Sequence, residues 1–259
     1  MRIERVLANN PGPYTGPGTN TWILDDGAGH VVIIDPGPVD SEHEEAIVGR
    51  VAGRDVASVL VTHTHVDHAP MANPLARELS VPAIGHGPGP QFDPDQSVRD
   101  GSLIEVGEIA LEVVFTPGHS MDHLCFRVGE VLFSGDHVIG GSSVMVESMG
   151  PYLESLRKLL GTGLTRLYPG HGDEIDQPDQ VIDWYVAHRL QRHEEVAIAV
   201  GGGERTAMEV VEMVYQDVDR SLYPLARRSV EAHLVLLSEE GRIVFEEGII
   251  FPNPPTHES

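Results

Sequence analysis

Short apolar runs recur through the first two thirds of the chain, each closed by a turn. Ala57–Val61, Glu112–Phe115, Glu130–Phe133 and Thr165–Tyr168 run into Thr62-His63, Thr116-Pro117-Gly118, Ser134-Gly135 and Pro169-Gly170. Apolar stretches of this length, bounded by Gly, Pro or polar turn residues, read as buried strands. Pro151–Leu160 has a different period. Leu153, Leu156, Leu159 and Leu160 fall at helical spacing, with Pro151 where a first turn tolerates it. Gly85–Pro94 is dense in Gly and Pro and reads as surface loop. The alternation of strands, helices and tight loops predicts an α/β unit.

The pattern changes after Asp176-Gln177-Pro178. Val181–Val200 reads as a helix that Gly201-Gly202-Gly203 ends. Thr206 opens a second helix, with Glu209 three residues on as a capping box. Ser221–Leu237 gives a third, with Pro224 in its first turn. Gly241–Phe245 and Gly248–Phe251 then read as a hairpin. Three helices followed by a hairpin resemble a winged helix. The expected division is residues 1–178 and 179–259, with Pro252–Ser259 as a disordered tail.

Candidate chemistry gathers in the turns. Positions 63–68 hold three imidazoles, His63, His65 and His68, and the Asp67 carboxylate, just after a predicted strand. His63 and His65, two apart, point the same way if the strand geometry persists. Asp67 and His68 follow and face a second point nearby. Neutral imidazole nitrogen and carboxylate oxygen are good ligands for zinc, iron or manganese. The later runs end in the same manner at His119, Asp136 and His171. One such segment is weak evidence for a metal centre; three after the first cluster are strong evidence.

The ordered motifs resemble those of the metallo-beta-lactamase superfamily. They are Asp35 in Ile34-Asp35-Pro36-Gly37, the His63–His68 cluster, His119, Asp136 and His171. The resemblance implies a four-layer αββα sandwich and two metal sites. His63, His65 and His119 would hold one ion and Asp67, His68 and His171 the other, with Asp136 bridging. Asp35 would hydrogen-bond the loop that carries the His cluster. The implied cofactor is two zinc ions, with iron or manganese as alternatives. Asn10–Tyr14, Gly18–Trp22, Thr116–His123, Phe133–Asp136 followed by a Gly-rich stretch, Tyr152–Leu156 and the segment through Ala187-His188-Arg189 are similar to the beta-lactamase-like protein 2 group. Animal members of that group are associated with cleavage of single-stranded RNA.

Other polar residues divide between roles. Tyr14 and Asn20 either contact substrate from the N-terminal loop or pack it. His123 either hydrogen-bonds near the site or fills core or surface. His137 reads as a buried neighbour of Asp136. His30, His43 and His86 read as solvated loop positions, and His188, His193 and His233 as structural or exposed helix positions. Ser142 and Ser143 shape a loop.

Composition narrows the setting. The chain has 259 residues with 41% hydrophobic content, enough for a full core. No apolar run is long enough for a membrane span, and the first seven residues are too charged for a secretory signal. Cys125 is the only cysteine, which excludes an internal disulfide. These features favour the cytoplasm. The formal net charge is −23, which opposes nucleic acid at long range unless a local basic patch exists. Arg227-Arg228 and Arg157-Lys158 are the most compact basic groups. The C-terminal unit is acidic, so DNA binding is not expected, nor is a membrane partner. Its expected role is to cover the rim of the metal site or to support a homodimer.

The expected activity is that of a dinuclear metal-dependent hydrolase. A metal-bridging hydroxide would attack an ester, thioester, lactone or phosphodiester, and Asp67 would handle the proton. Substrates are small molecules or single-stranded RNA. The competing expectations are a single-stranded RNA endonuclease, a glyoxalase II-like thioester hydrolase, and a non-catalytic binding protein on the same scaffold. The last would be marked by missing ligands, and none is missing.

Overall fold

A computed structural model describes residues 1–140, 144–201, 203, 205–246 and 248–252. Ser142, Ser143 and all of the expected tail except Pro252 lie outside the described residues. The strand patterns pair into two sheets. In the first, β1 (Arg2–Leu7), β2 (Asn20–Asp25), β3 (His30–Ile34), β4 (Asp55–Leu60), β5 (Ala83–Gly85) and β6 (Gln96–Ser97) lie in that order. β1, β2 and β3 pair antiparallel; from β3 to β6 the pairing is parallel. In the second, β7 (Leu103–Val106), β8 (Ile109–Phe115), β9 (Leu124–Val128), β10 (Val131–Gly135) and β11 (Arg166–Pro169) also lie in chain order. All pair antiparallel except β10 with β11.

Alternating side chains decide the layers. In β2 and β3, Trp22, Leu24, Val32 and Ile34 face the second sheet, while Ile23, Val31 and Ile33 face helices. The second sheet answers with Leu111, Val113, Leu124, Phe126, Phe133 and Tyr168 inward, and Val114, Cys125, Leu132 and Leu167 outward. Both faces of each sheet are therefore apolar and must be covered. Helices α1 (Ser41–Val51) and α2 (Ala72–Leu79) cover the first, through Ile47, Val51, Leu75 and Ala76. Helix α3 (Met149–Leu159) and the first half of α4 (Pro178–Val200) cover the second, through Leu153, Leu156, Ile182 and Tyr185. Each fully buried Val, Leu or Ile among them contributes roughly 1.5–3 kcal/mol. The result is the expected αββα sandwich.

The second half of α4 turns to another core. Val196, Ala199 and Val200 pack with α5 (Ala207–Val214), α6 (Tyr223–Glu239) and Ile243 and Ile250. Strands β12 (Arg205–Thr206), β13 (Ile243–Glu246) and β14 (Ile249–Pro252) complete this winged-helix unit. The capping box at Thr206 and Glu209 is present. The third helix opens differently from its pattern: Arg220–Leu222 form a 3-10 turn capped by Asp219, and α6 begins after it.

Cys125 is fully buried beside Thr116, and burial pushes its thiol up to about 12. It is an inert core residue. Among the described residues no helix is long and apolar enough to cross a membrane.

Candidate metal centre and its cavity

Strand direction brings the candidate donors together. β3 and β4 are parallel, and β8, β10 and β11 run in one common direction. Asp35, the His63–His68 loop, His119, Asp136 and His171 follow these five strands in turn. Two glycines permit the approach. A Cβ on Gly118 would lie 2.4 Å from the Tyr152 Cα, and one on Gly170 would lie 2.5 Å from Asp136 Oδ1.

The seven candidate donors meet in overlapping sets. His63, His65 and His119 form one and Asp67, His68 and His171 another, while His63, His68 and Asp136 overlap both; in each, the donor atoms lie within 4.8 Å of one another. His65 Nδ1 is 2.9 Å from His63 Nε2 and 3.0 Å from His119 Nε2. His68 Nε2 is 3.3 Å from His171 Nε2, which is 3.1 Å from Asp67 Oδ2. Asp136 stands between the sets, with Oδ2 3.6 Å from His119 and 3.4 Å from His171, and Oδ1 3.5 Å from His68.

The outward nitrogens set the tautomers. Asp35, whose φ of +52° is one an aspartate tolerates, accepts from Thr62 N and Thr62 Oγ1, both at 2.7 Å, and from His68 Nδ1 at 2.9 Å. Thr62 Oγ1, having donated to Asp35, accepts from His63 Nδ1 at 2.9 Å. His119 Nδ1 donates to Met145 O at 2.7 Å, and His171 Nδ1 to Gly18 O at 3.1 Å. Carbonyl and carboxylate oxygens only accept, so four rings keep their hydrogens outside and, when neutral, turn lone pairs inward. Asp136 Oδ1 is buried with no hydrogen-bond partner among the described residues. Acceptors converge with too few donors, and this set suits divalent cations.

The protonation of the cluster tells the same story. Burial holds His63 well below its usual range, helped by His68 and His119, and takes His119 to about 4. Burial also opposes a charge on His68 and His171. Asp136 and Asp67 outweigh it, holding His68 well above the usual value and raising His171 to about 9. Burial works against the Asp136 carboxylate too, but His68 and His171 keep it well below the ordinary range. The carboxylates demand positive charge, which protons or metal ions can supply.

The remaining expectations sort by geometry. His123 orients Asp136: its Nε2 accepts from Asp136 N at 3.1 Å, and its Nδ1 donates to Thr116 Oγ1. His137 is fully buried. Asn20 faces the turn after β11 and does not line the cavity. It is buried, and its amide donates to Pro169 O and Gly172 O at 2.9 Å, clasping the turn that carries His171. His43 is also corrected: it is buried in α1, 2.9 Å from Thr21 Oγ1, not solvated on a loop. Tyr14 is 54% exposed and lines the cavity.

That cavity of about 770 Å³ opens on His65, Asp67, His119, Asp136 and His171. Its far wall comes from α4, α6 and the segments beside them, including His188, Arg189, Arg192, Leu225 and Arg228. The C-terminal unit thus covers the rim of the site. The family-like Ala187-His188-Arg189 segment pointed to Arg189 without a role, and nothing in the sequence pattern marks Arg192 as belonging here.

Comparison with known proteins agrees with this geometry. Residues 14–171 match the metallo-beta-lactamase superfamily. The chain belongs to that superfamily. Residues 206–249 match the beta-lactamase-associated winged helix domain. The chain is 32% identical to the beta-lactamase-like protein 2 homolog of Drosophila melanogaster, over 93% of this chain and 89% of that protein. It is also 32% identical to the atrochrysone carboxyl ACP thioesterase of Aspergillus fumigatus, over 83% of this chain and 73% of that protein. A metallo-beta-lactamase family protein from Thermus thermophilus shares the fold, with a TM-score of 0.81 at 22% identity over 97% of this chain and 98% of the other. The expected superfamily and its resemblance to the beta-lactamase-like protein 2 group are both met.

Proposed function

We propose that the chain is a dinuclear metal-dependent hydrolase of small acyl substrates, thioesters foremost. The observation that carries this reading is the convergence of inward lone pairs and an unsatisfied carboxylate oxygen at the floor of an open cavity. Likeness to a thioesterase over most of the chain favours the acyl substrate.

His63, His65 and His119 would hold one ion, and Asp67, His68 and His171 the second, with Asp136 reaching both. When bound there, divalent ions supply Lewis acidity, lowering the pKa of coordinated water toward about 7 and polarising the attacked group. The chain's own contribution is orientation. Asp35 and Thr62 keep the hydrogens of His63 and His68 away from the centre. His123 fixes the backbone of Asp136. Asp67, which lines the cavity, would take the proton of the attacking water. Val144, Met145, Leu222 and Leu225, which line the cavity, would pack on the acyl group.

The test is thiol release from acyl thioesters by protein of measured metal content. Activity should track bound metal and vanish with a chelator. Asp67→Asn should lower kcat/KM by about 10²–10⁴-fold. Thioester hydrolysis that survives complete chelation sinks the reading. Inert thioesters together with cleavage of single-stranded RNA would replace it with the nuclease reading.

A further inference from the structure

The arginines of this chain differ in their partners. Arg5, Arg50, Arg54, Arg166, Arg227 and Arg242 each pair with a carboxylate. Arg189 and Arg228 make no ion pair among the described residues, and both line the cavity. Arg189 is 3% exposed. One of its amines donates to Val144 O, and its Nε is buried without a hydrogen-bond partner among the described residues. A buried cation with no anion beside it is costly. Arg192 lines the same wall, packed over the Tyr215 ring at 4.3 Å and paired with Glu195. The neighbouring His188 is pushed below its usual range by burial and then by Arg189 and Arg192, so the local field is positive. The acids that line the cavity are Asp67 and Asp136, and both belong to the donor cluster. In a chain of net charge −23, this wall gathers three guanidinium groups, two of which, Arg189 and Arg228, have no carboxylate partner among the described residues.

We propose that Arg228 and Arg192, backed by Arg189, form an anion subsite that takes a carboxylate or phosphate carried by the substrate away from the bond being cleaved. Val144, Met145, Leu222 and Leu225 line the same cavity. The substrate class is therefore an anionic ester or thioester with an apolar body. Guanidinium is suited to either oxyanion. The position of the cleaved bond rests on the hydrolase reading above; the binding of an anion does not.

The test uses full-length, metal-loaded protein and two substrate pairs. The S-hexanoyl and S-adipoyl thioesters of N-acetylcysteamine differ by a carboxylate on the acyl chain. S-hexanoyl pantetheine and its 4′-phosphate differ by a phosphate on the 4′-hydroxyl of the leaving group. At low salt, kcat/KM for the anionic member of one pair should exceed its neutral partner about tenfold, the scale of one charge-assisted contact. The pair that responds identifies which group the subsite holds. In Arg228→Gln this preference should fall toward unity, and Arg228→Lys should restore part of it. No preference in either pair, or a preference unchanged in Arg228→Gln, overturns the proposal. Titration calorimetry with adipate and with inorganic phosphate separates the two readings. If all four thioesters are inert, the hydrolase reading fails; at least fivefold weaker anion binding by Arg228→Gln still upholds the subsite, and equal binding overturns it.

Discussion

Replacing Asp35 by Asn tests how the chain holds its donors, because the change is nearly isosteric and replaces none of the seven donor residues. The carboxylate accepts from Thr62 N, Thr62 Oγ1 and His68 Nδ1. An amide offers one acceptor and one donor end. With the oxygen kept on Thr62 N, the NH2 faces the Thr62 hydroxyl and the His68 Nδ1–H. The hydroxyl can rotate, but the imidazole can answer only by moving its hydrogen to Nε2. That nitrogen lies 3.3 Å from His171 Nε2 and 3.5 Å from Asp136 Oδ1, so the hydrogen enters the space a cation would occupy. Loss of such an outer partner costs about 10–100-fold in metal affinity, or about 1.4–2.7 kcal/mol. Charge-assisted hydrogen bonds are worth about 1.5–3 kcal/mol each, so the chelated protein should also melt roughly 5–10 °C lower. Competitive zinc titration against a chromophoric chelator reads the first effect, and circular dichroism melting in excess chelator reads the second. Zinc affinity within twofold of wild type would refute the tautomer argument, whatever the melting temperature did.

Three further outcomes follow from the same geometry. Gly170→Ala removes no donor, yet its Cβ would sit 2.5 Å from Asp136 Oδ1 and 2.6 Å from His68 Cε1; metal content after dialysis should fall at least tenfold, with the far-ultraviolet spectrum unchanged. Asn20→Ala breaks both bonds to the His171 turn, so it should lower bound metal and thermal stability; a rise in KM alone would restore its reading as a substrate contact. His233 is depressed to about 3 by burial and by Arg189 and His193. Its folded pKa lies below the unfolded 6.5, so the unfolded chain binds the extra proton, and stability is whole above pH 6.5 and falls toward pH 3. The slope is about 1.4 kcal/mol per pH unit, so His233→Leu should become more stable relative to wild type by about 2 kcal/mol between pH 6.5 and 5 in denaturant titrations.

The donors were legible in the sequence because their motif is local and repeated: a strand, a turn, then a ligand-type side chain. Strands were legible where apolar runs such as Glu130–Phe133 bury Leu132 and Phe133 on opposite faces, and the layering followed from the family resemblance. Asn20 was not legible as a clasp, since its partners Pro169 and Gly172 lie about 150 positions away. His43 shows the same limit. It has no partner pattern in the sequence and reads as a solvated loop position, but α1 turns it onto Thr21. Arg227 and Arg228 adjoin in sequence and separate by about 100° around a helix. Arg227 pairs with Glu231 on the surface, and Arg228 faces the cavity. Periodicity assigns a residue to a face, but only packing against another element says what that face meets.

This difference in legibility reflects a physical division of labour. The donors sit on strand ends whose tautomers are set by backbone carbonyls, Thr62 and Asp35, all within the sandwich. The cavity's far wall sits largely on helices that belong in part to a separate core. Change in one core need not disturb the other, since packing energies of distant sites add nearly independently. Substitutions at exposed wall positions such as Leu222 and Arg228 should therefore alter which substrates are accepted while leaving metal content untouched. Substitutions at Asp35, Thr62 or Gly170 should lower metal content and activity on every substrate alike. A wall substitution that stripped the metal would show that the two cores are coupled, and that α4 transmits strain from one to the other.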